Sequence, residues 1–200
     1  MKFVIATNNN KKLVELQRIL TPLSIDVVTS REIGVDLGDV DENGSTFAEN
    51  AYIKAKSAFD LLGGKYAVVA DDSGLCVDAL GGRPGIYSAR YGGEGLSDTD
   101  RYILLLKEMT GVDKDRRQAH FACSICAIMS DGSVITAEGK CDGYIGFEPI
   151  GDGGFGYDPV FMVGDKSFSQ LTAEEKDKYS HRGKALRDFK KKLEVYLEGK

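Results

Sequence analysis

The 200-residue sequence lacks several features that define large classes of protein. No stretch approaches the roughly 18 consecutive apolar residues of a membrane span, so we predict no membrane partner. The opening apolar residues Met1–Ala6 pass into the polar segment 7–12 too early for a signal peptide, so we expect a soluble, cytoplasmic protein. The formal net charge of −5 argues against a protein that coats nucleic acid. It is compatible with a small anionic substrate, because a local basic pocket can lie on an acidic surface.

Cysteine is scarce, with four residues in the chain, and only one pair has a suggestive spacing. Cys123 and Cys126 form a C-x-x-C motif, which is typical of redox and zinc sites. The segment 121–129 is apolar apart from Ser124 and predicts a buried strand, on which residues three apart point to opposite faces. No second Cys/His pair lies at zinc-site spacing. We therefore predict structural cysteines that form neither a metal site nor a disulfide.

The order of apolar and amphipathic segments predicts an α/β protein. A hydrophobic content of 42% suffices for one sizeable core or two closely packed lobes. We see no repeat, low-complexity tract or linker, so we predict one domain over residues 1–200. Ser45, Thr46 and Glu49 predict a capping box at the start of a long helix. The predicted strands are 3–6, 25–28, 67–70, 120–129 and 134–142, and the predicted helices are 13–20, 47–62, 98–109 and 182–197.

A short apolar run, Ala67–Ala70, leads directly into Asp71, Asp72, Ser73 and Gly74. Two adjacent carboxylates at the end of a strand repel each other, and burying either without a partner is costly. Mg²⁺ makes such a pair useful, because it prefers hard oxygen ligands and shares one or two carboxylates with substrate phosphates. The alternative is an Asp-rich turn after a strand, since Asp, Ser and Gly are ordinary turn residues.

A second polar cluster, Thr7, Asn9 and Lys12, lies between the first strand and the first helix. A loop that enters a helix N-terminus offers backbone N–H groups and a favourable dipole to a phosphate. The loop is not a Walker A loop, because the required glycines are absent. The alternative is an Asn-rich turn with a solvated lysine. On the long helix, Glu49 and Lys54 are five residues apart, which in isolation indicates a solvated helix face.

The aromatic and basic residues of the second half suggest recognition of a base. Phe155–Asp158 ends a glycine-rich loop, where an aromatic ring can stack on a purine and Asp158 can accept hydrogen bonds from ring N–H groups. His181 and Arg182, at the start of the last helix, can donate to an exocyclic oxygen or a phosphate; an ordinary helix start is the alternative. Arg90 can pair with an anion, stack on a base or lie on the surface. Together the clusters indicate an enzyme that handles nucleotides.

With six segments in the same order, the sequence resembles the inosine triphosphate pyrophosphatase family, also called the Ham1 family of noncanonical purine nucleoside-triphosphate pyrophosphatases. The set covers nearly the whole chain and is highly specific. The matching segments are Thr7-x-Asn9-x-x-Lys12, Thr46-Phe47-x-Glu49-Asn50-Ala51-x-x-Lys54-Ala55, Ala70-Asp71-Asp72-Ser73-Gly74-Leu75, Gly85-Ile86-Tyr87-Ser88-Ala89-Arg90-Tyr91, Gly153-Gly154-Phe155-Gly156-Tyr157-Asp158-Pro159 and Ser180-His181-Arg182-Gly183.

The resemblance implies hydrolysis of ITP, dITP and XTP to the monophosphate and pyrophosphate, with Mg²⁺ as cofactor and a homodimer as the assembly. It implies an elongated mixed central sheet with flanking helices, in two lobes around an active-site cleft. It makes Asp72 and Lys12 catalytic, and Asp41 and Asp72 metal ligands. Family members often carry two glutamates where this chain has Asp41 and Glu42, so which of these two reaches the ion is left open. The implied substrate contacts are Thr7, Asn8, Asn9, Asn10, Lys11, Lys12, Lys54, Ser73, Arg90, Phe155, Gly156, Tyr157, Asp158, Lys176, His181 and Arg182.

Two other interpretations are still open at this point. A related pyrophosphatase could act on modified pyrimidine nucleotides, against which the loop Phe155–Asp158 and the pair His181 and Arg182 argue. A nucleotide-binding regulator without catalysis is the second, against which the intact pair Asp71 and Asp72, together with Lys12, argues.

Overall fold

The structure is a computed structural model of the chain, which describes residues 2–7, 9–38 and 40–199. The strands are β1 (Lys2–Ile5), β2 (Asp26–Thr29), β3 (Ala67–Val77), β4 (Gln118–Ile128), β5 (Val134–Ile145), β6 (Phe161–Val163) and β7 (Lys166–Ser167). The helices are α1 (Asn10–Leu20), α2 (Phe47–Leu61), α3 (Asp98–Glu108), α4 (Ala173–Tyr179) and α5 (His181–Glu198), with short 3-10 helices at Thr21–Leu23, Asp78–Leu80, Gly85–Arg90, Lys114–Arg116 and Phe168–Gln170.

The seven strands form one mixed sheet in the order β2-β1-β3-β4-β5-β6-β7. Strand β1 pairs in parallel with β2 and β3, whereas β6 pairs antiparallel with β5 and β7. A mixed sheet with flanking helices confirms the predicted α/β class. Within the described ranges, no helix is long and apolar enough to cross a membrane.

The chain divides into two compact units. The first unit comprises residues 1–72, 123–139 and 182–200, and the second comprises 73–122 and 140–181. The assignment of residues 1–200 to a single domain stays a prediction.

The first unit buries both faces of its part of the sheet. Alternate residues of β1 enter different clusters, with Phe3 and Ile5 in one and Val4 in the other. Helices α1 and α5 complete the first cluster, and α2 completes the second with the small residues Ala51, Ala55 and Ala58. Parallel strands that are covered on both faces need this near-continuous apolar sequence, because neither face meets water.

Strand β3 is longer than the sequence predicts. It continues from Ala67 through both aspartates to Val77, so Asp71 and Asp72 lie inside a continuous strand. The prediction that the strand ends at Ala70 was wrong, and so was the alternative of an Asp-rich turn. Aspartate is disfavoured in strands by local preference, but this preference is weak compared with the ion pairs that both carboxylates make here.

Cys123 and Cys126 point to different faces of β4, as the strand period predicts. Cys123 and Cys126 lie buried on β4 and belong to different clusters of the first unit, and all four cysteines are free thiols. The turn between β4 and β5 is closed by a hydrogen bond from the Gly132 N–H to the Met129 carbonyl at 2.8 Å, as expected for the predicted hairpin.

The predicted capping box of α2 is present in a modified form. The Thr46 hydroxyl accepts a hydrogen bond from the Glu49 N–H at 3.1 Å, which is the usual cap. The Glu49 carboxylate reaches back one residue further than predicted, to the Ser45 N–H at 2.6 Å and the Ser45 hydroxyl at 2.7 Å. Hydrogen bonds at Ser45 and at Thr46 therefore both stabilise the start of α2.

The second unit has an aromatic core, with Phe121, Phe161 and Phe168 in mutual ring contact. Beside it lies Arg117, which is buried and donates hydrogen bonds to the carbonyls of Met109, Val112, Ile145 and Gly146. This guanidinium satisfies carbonyls at the end of α3 and at the end of β5 at once.

Candidate active site

The loop between β1 and α1 has the form of a helix cap. The Asn9 side-chain oxygen accepts hydrogen bonds from the N–H groups of Lys11 at 3.0 Å and Lys12 at 3.1 Å. The Asn9 N–H in turn donates to the Thr7 hydroxyl at 3.2 Å. Asn10 and Lys11 are exposed, and Asn8 lies outside the described residues. The cap orients the first turn of α1, and the phosphate contacts predicted for this loop stay predictions.

Lys12 does not have the solvated side chain of the alternative interpretation. Its ammonium lies 3.3 Å from a carboxylate oxygen of Asp71, and its side chain is 16% exposed. The ammonium of Lys12, in the first turn of α1, is therefore held in place by the buried carboxylate of Asp71 on β3.

Asp71 also pairs with the first turn of α5. The Asp71 oxygen that contacts Lys12 accepts from the Arg182 guanidinium at 3.1 and 3.3 Å. Arg182 also donates a hydrogen bond from Nη1 to the carboxylate of Glu15 on α1. Burial raises the pKa of Asp71, but Lys12 and Arg182 outweigh it and hold that pKa below its ordinary value. Asp71 is therefore fully ionised at neutral pH.

Glu15 is a residue that the sequence analysis did not single out. It is buried on the face of α1 that also carries Leu16 and Ile19. A carboxylate on an otherwise apolar helix face is the signal that could have identified it, because a buried charge needs a partner. Arg182 is occupied by two carboxylates of the first unit, and its predicted contact with a base stays a prediction.

Asp72 is held by two donors from α2. Lys54 Nζ lies 2.9 Å from Oδ1 of Asp72, and Asn50 Nδ2 lies 3.3 Å from Oδ2. The expectation of a solvated helix face around Lys54 was wrong, because this side chain points to β3 and is 12% exposed. Burial raises the pKa of Asp72 above its ordinary value, since the opposing attraction of Lys54 and Lys12 is smaller.

The segment 40–45 before α2, here called the acidic loop, supplies a second carboxylate. Glu42 Oε2 lies 3.1 Å from Lys54 Nζ, so one ammonium bridges Glu42 and Asp72. Asp41 is exposed. Among the residues whose placement is given, no group of three or more His, Cys, Asp or Glu side chains is arranged to hold a metal ion. The carboxylates of Glu42 and Asp72, which both contact the Lys54 ammonium, nevertheless suit Mg²⁺. This ion takes one or two carboxylates and completes its shell with phosphates and water.

The second unit brings together three of the predicted base-binding residues. Asp158 accepts hydrogen bonds from Lys176 Nζ at 2.7 Å and from the Phe155 N–H at 2.8 Å. The same ammonium lies 4.7 Å from the centroid of the Phe155 ring. The turn requires glycine at 154, where φ is +75° and an added Cβ would lie 2.1 Å from the Asp158 carboxylate. Asp158 and Lys176 are both buried, and they fix the orientation of Phe155.

Gly156 and Tyr157 of this loop form hydrogen bonds to other elements of the second unit. The Gly156 N–H donates to Asp98 of α3 at 3.0 Å, and the Tyr157 hydroxyl donates to the Ser88 carbonyl at 2.9 Å. Sequence analysis missed the role of Asp98, since a partner 58 residues away leaves no local signal. The loop is therefore held by α3 at Gly156 and by the 3-10 helix Gly85–Arg90 at Tyr157.

Three of the other predicted substrate contacts are His181, Arg90 and Ser73. His181 is buried and its ring stacks on Phe121, with centroids 4.7 Å apart and planes within 12°. Arg90 is exposed and its guanidinium lies 4.9 Å from the centroid of the Tyr87 ring. Ser73 is half-buried on β3. The substrate contacts expected of these residues stay predictions.

Comparison with known proteins identifies the family to which this fold and these clusters belong. The sequence model of the Ham1 family matches residues 3–192, and the chain belongs to that family. The dITP/XTP pyrophosphatase of Bacillus subtilis (strain 168) is 44% identical over 194 residues, which cover 96% of each chain. The solved Ham1 protein of Staphylococcus aureus is 39% identical, with a TM-score of 0.83 over 100% of this chain and 99% of that one. The HAM1 protein of Coxiella burnetii is 37% identical, with a TM-score of 0.85 over 98% and 99%. The family expected from the six segments is thereby confirmed.

Proposed function

We propose that this chain hydrolyses the noncanonical purine nucleoside triphosphates ITP, dITP and XTP to the monophosphate and pyrophosphate. This activity removes them from the nucleotide pool and prevents their incorporation into DNA and RNA. The observation that carries the proposal is the buried carboxylate of Asp72, bridged to Glu42 by the ammonium of Lys54. Membership of the Ham1 family supports it, since the similar protein of Bacillus subtilis is named dITP/XTP pyrophosphatase.

In the proposed reaction, water attacks the α-phosphorus and pyrophosphate leaves. Asp72 orients the water and accepts its proton, which is the role of a general base. Lys12 and Lys54 lie in fixed positions beside Asp71 and Asp72, where their charge stabilises the negative charge that develops on the phosphate.

Mg²⁺ is part of the proposal as the cofactor. Asp72 would hold it together with a carboxylate of the acidic loop, and the contact of Glu42 with Lys54 favours Glu42 over the predicted ligand Asp41. When bound, the ion neutralises charge on the triphosphate and on the leaving pyrophosphate. Lys54 lies between the same two carboxylates, and its positive charge offsets their mutual repulsion.

For the base, we propose that Phe155 provides the stacking surface and that Lys176 stays fixed beside it on Asp158. Hypoxanthine and xanthine carry a 6-oxo acceptor where adenine has an amino donor. A buried donor, with His181 as the candidate, would pair with the oxo group and would face another donor in adenine. Leaving such a group unpaired costs about 1–3 kcal/mol, which is enough for roughly ten- to a hundredfold discrimination.

We further propose that the protein works as a homodimer in the cytoplasm, with neither nucleic acid nor membrane as a partner. The net charge of −5 supports the exclusion of nucleic acid.

The experiment that tests the function is a measurement of pyrophosphate release from ITP, XTP, dATP, dGTP and dUTP with Mg²⁺. We expect ITP and XTP to be strongly preferred, and Asp72→Asn to lower kcat at least about a hundredfold because the base is lost. Asp60→Asn is the matched control, since this aspartate of α2 is 58% exposed and should leave the rates unchanged. Orthophosphate as the first product would contradict attack at the α-phosphorus. Equal rates for all five bases would contradict the proposed specificity.

A further inference from the structure

Asn50 is a completely buried polar residue in contact with Asp72, and nothing in the proposed reaction yet uses it. It lies on α2 and is 0% exposed. Its amide makes two hydrogen bonds to different parts of the first unit. The oxygen accepts from the Gly44 N–H at 2.8 Å, and the nitrogen donates to Oδ2 of Asp72 at 3.3 Å.

The orientation of this amide follows from its partners. The Gly44 N–H can only donate, so the side-chain oxygen of Asn50 must face it. The amide nitrogen then faces Asp72, which as a carboxylate can only accept. An asparagine with the reverse orientation would place two donors together on one side and two acceptors together on the other. The arrangement around Asn50 therefore has one self-consistent orientation.

Asn50 and Lys54 lie one helical turn apart on the same face of α2, and both contact Asp72 and a residue of the acidic loop. Lys54 contacts Oδ1 of Asp72 and the Glu42 carboxylate, whereas Asn50 contacts Oδ2 of Asp72 and the Gly44 backbone. Each side chain thus connects the acidic loop to β3. The carboxylate of Asp72 is held through both oxygens, which fixes its plane as well as its position.

The close approach of the acidic loop to Asn50 supports a specific contact. A Cβ added at Gly44 would lie 2.6 Å from the Asn50 side-chain oxygen and 2.8 Å from Cβ of Glu49. Only glycine lets the loop come this near to α2. The loop reaches α2 at Gly44, next to the carboxylates that the proposed reaction uses.

We propose that Asn50 is a positioning residue that sets the orientation of the Asp72 carboxylate and ties the acidic loop to it. The inference rests on the proposed function, because it assigns Asn50 a role through the proposed base. Lys54 alone holds one oxygen, so the carboxylate keeps part of its freedom to rotate about the Cβ–Cγ bond. The Asn50 donor restricts that freedom without placing a further cation beside Asp72.

The test uses two substitutions that remove both hydrogen bonds but differ in size. Asn50→Leu keeps the branched shape and the number of heavy atoms of the side chain, and Asn50→Ala does not. We expect both to lower kcat for ITP by about 10- to 100-fold, as loss of a supporting contact to a reacting group does, with KM changed less than about threefold. We also expect faster hydrogen exchange of the Gly44 N–H in both variants. Asn43→Leu is the control, since this asparagine of the same loop is exposed.

A packing role predicts a different result, in which Asn50→Leu restores most of what Asn50→Ala loses. That result would overturn the inference, as would wild-type kcat in both variants. A second criterion is the Asp72→Asn background, where we expect Asn50→Ala to have almost no further effect on kcat. An undiminished effect there would show that Asn50 does not act through Asp72. Failure of the function itself is distinguishable, because the wild type would then release no pyrophosphate from ITP.

Discussion

The first unit contains a buried charge cluster formed by Asp71, Lys12, Arg182 and Glu15. It allows a stability prediction that is independent of the reaction. Asp71→Asn keeps the size of the side chain and removes only its charge. In the wild type, one Asp71 oxygen lies 3.3 Å from the Lys12 ammonium and 3.1 Å from the Arg182 guanidinium. The substitution leaves two buried or nearly buried cations facing a neutral amide, with Glu15 as the remaining carboxylate on Arg182.

The magnitude follows from these distances. At an effective dielectric constant of about 20, a pair of unit charges at either distance attracts by about 5 kcal/mol. Part of this gain offsets the desolvation of Asp71, which is completely removed from water in its side chain. Removal of one partner from a buried pair costs about 3–5 kcal/mol in measured cases, and we expect a loss in that range. For a chain of this size, the loss corresponds to a decrease in Tm of roughly 6–20 °C.

The assay is urea unfolding at pH 7, followed by circular dichroism, with Asp60→Asn as the matched control. Asp60 pairs with Lys56 at 2.5 Å, but both side chains are about half exposed, at 58% and 47%. An exposed pair of this kind contributes at most about 1 kcal/mol, so the control should unfold nearly as the wild type does. A loss below about 1 kcal/mol in Asp71→Asn, or equal losses in the two variants, would refute the reasoning.

Two further predictions concern other buried groups. Arg117→Met should lower the free energy of unfolding by about 2–5 kcal/mol, because carbonyls at the ends of α3 and β5 lose their donor; thermal and urea unfolding measure this. Burial raises the pKa of Cys123 to about 12 and that of Cys126 to about 11, so at pH 8 roughly one thiol in 10,000 and one in 1,000 is ionised. A thiol-reactive chromophore should therefore modify Cys76 first in the native protein, and all four cysteines in urea.

Each of these two predictions has a control variant. Arg116→Met, next to Arg117, removes an exposed arginine and should change the unfolding free energy by less than about 0.5 kcal/mol. Equal effects of the two arginine substitutions would contradict the buried role. In Cys76→Ser the first phase of thiol modification should disappear. If that phase persists, one of the other cysteines is more accessible than the structure indicates.

Local sequence patterns predicted most elements of the fold correctly. The hydrophobic spacing of α1, the hairpin of β4 and β5, and the opposite orientations of Cys123 and Cys126 depend on periods of two and 3.6 residues, which the sequence shows directly. The six family segments likewise identified the Ham1 family without any tertiary information.

Contacts between distant segments were not predictable in the same way. The sequence placed the end of a strand at Ala70, whereas β3 continues through Asp71 and Asp72 because Lys12, Lys54 and their neighbours neutralise both carboxylates. Propensity describes a residue by its neighbours in the chain, and these partners come from other elements.

The sequence by itself therefore determined the α/β class, the family and the residue types of the site. Tertiary structure alone decided which charges meet. It paired Asp71 with Arg182, placed Glu42 on Lys54, and brought Asn50 to Asp72. The physical reason is that a buried charge or amide is stable only with a complementary group within hydrogen-bond distance, and the fold selects that group from residues far apart in the chain.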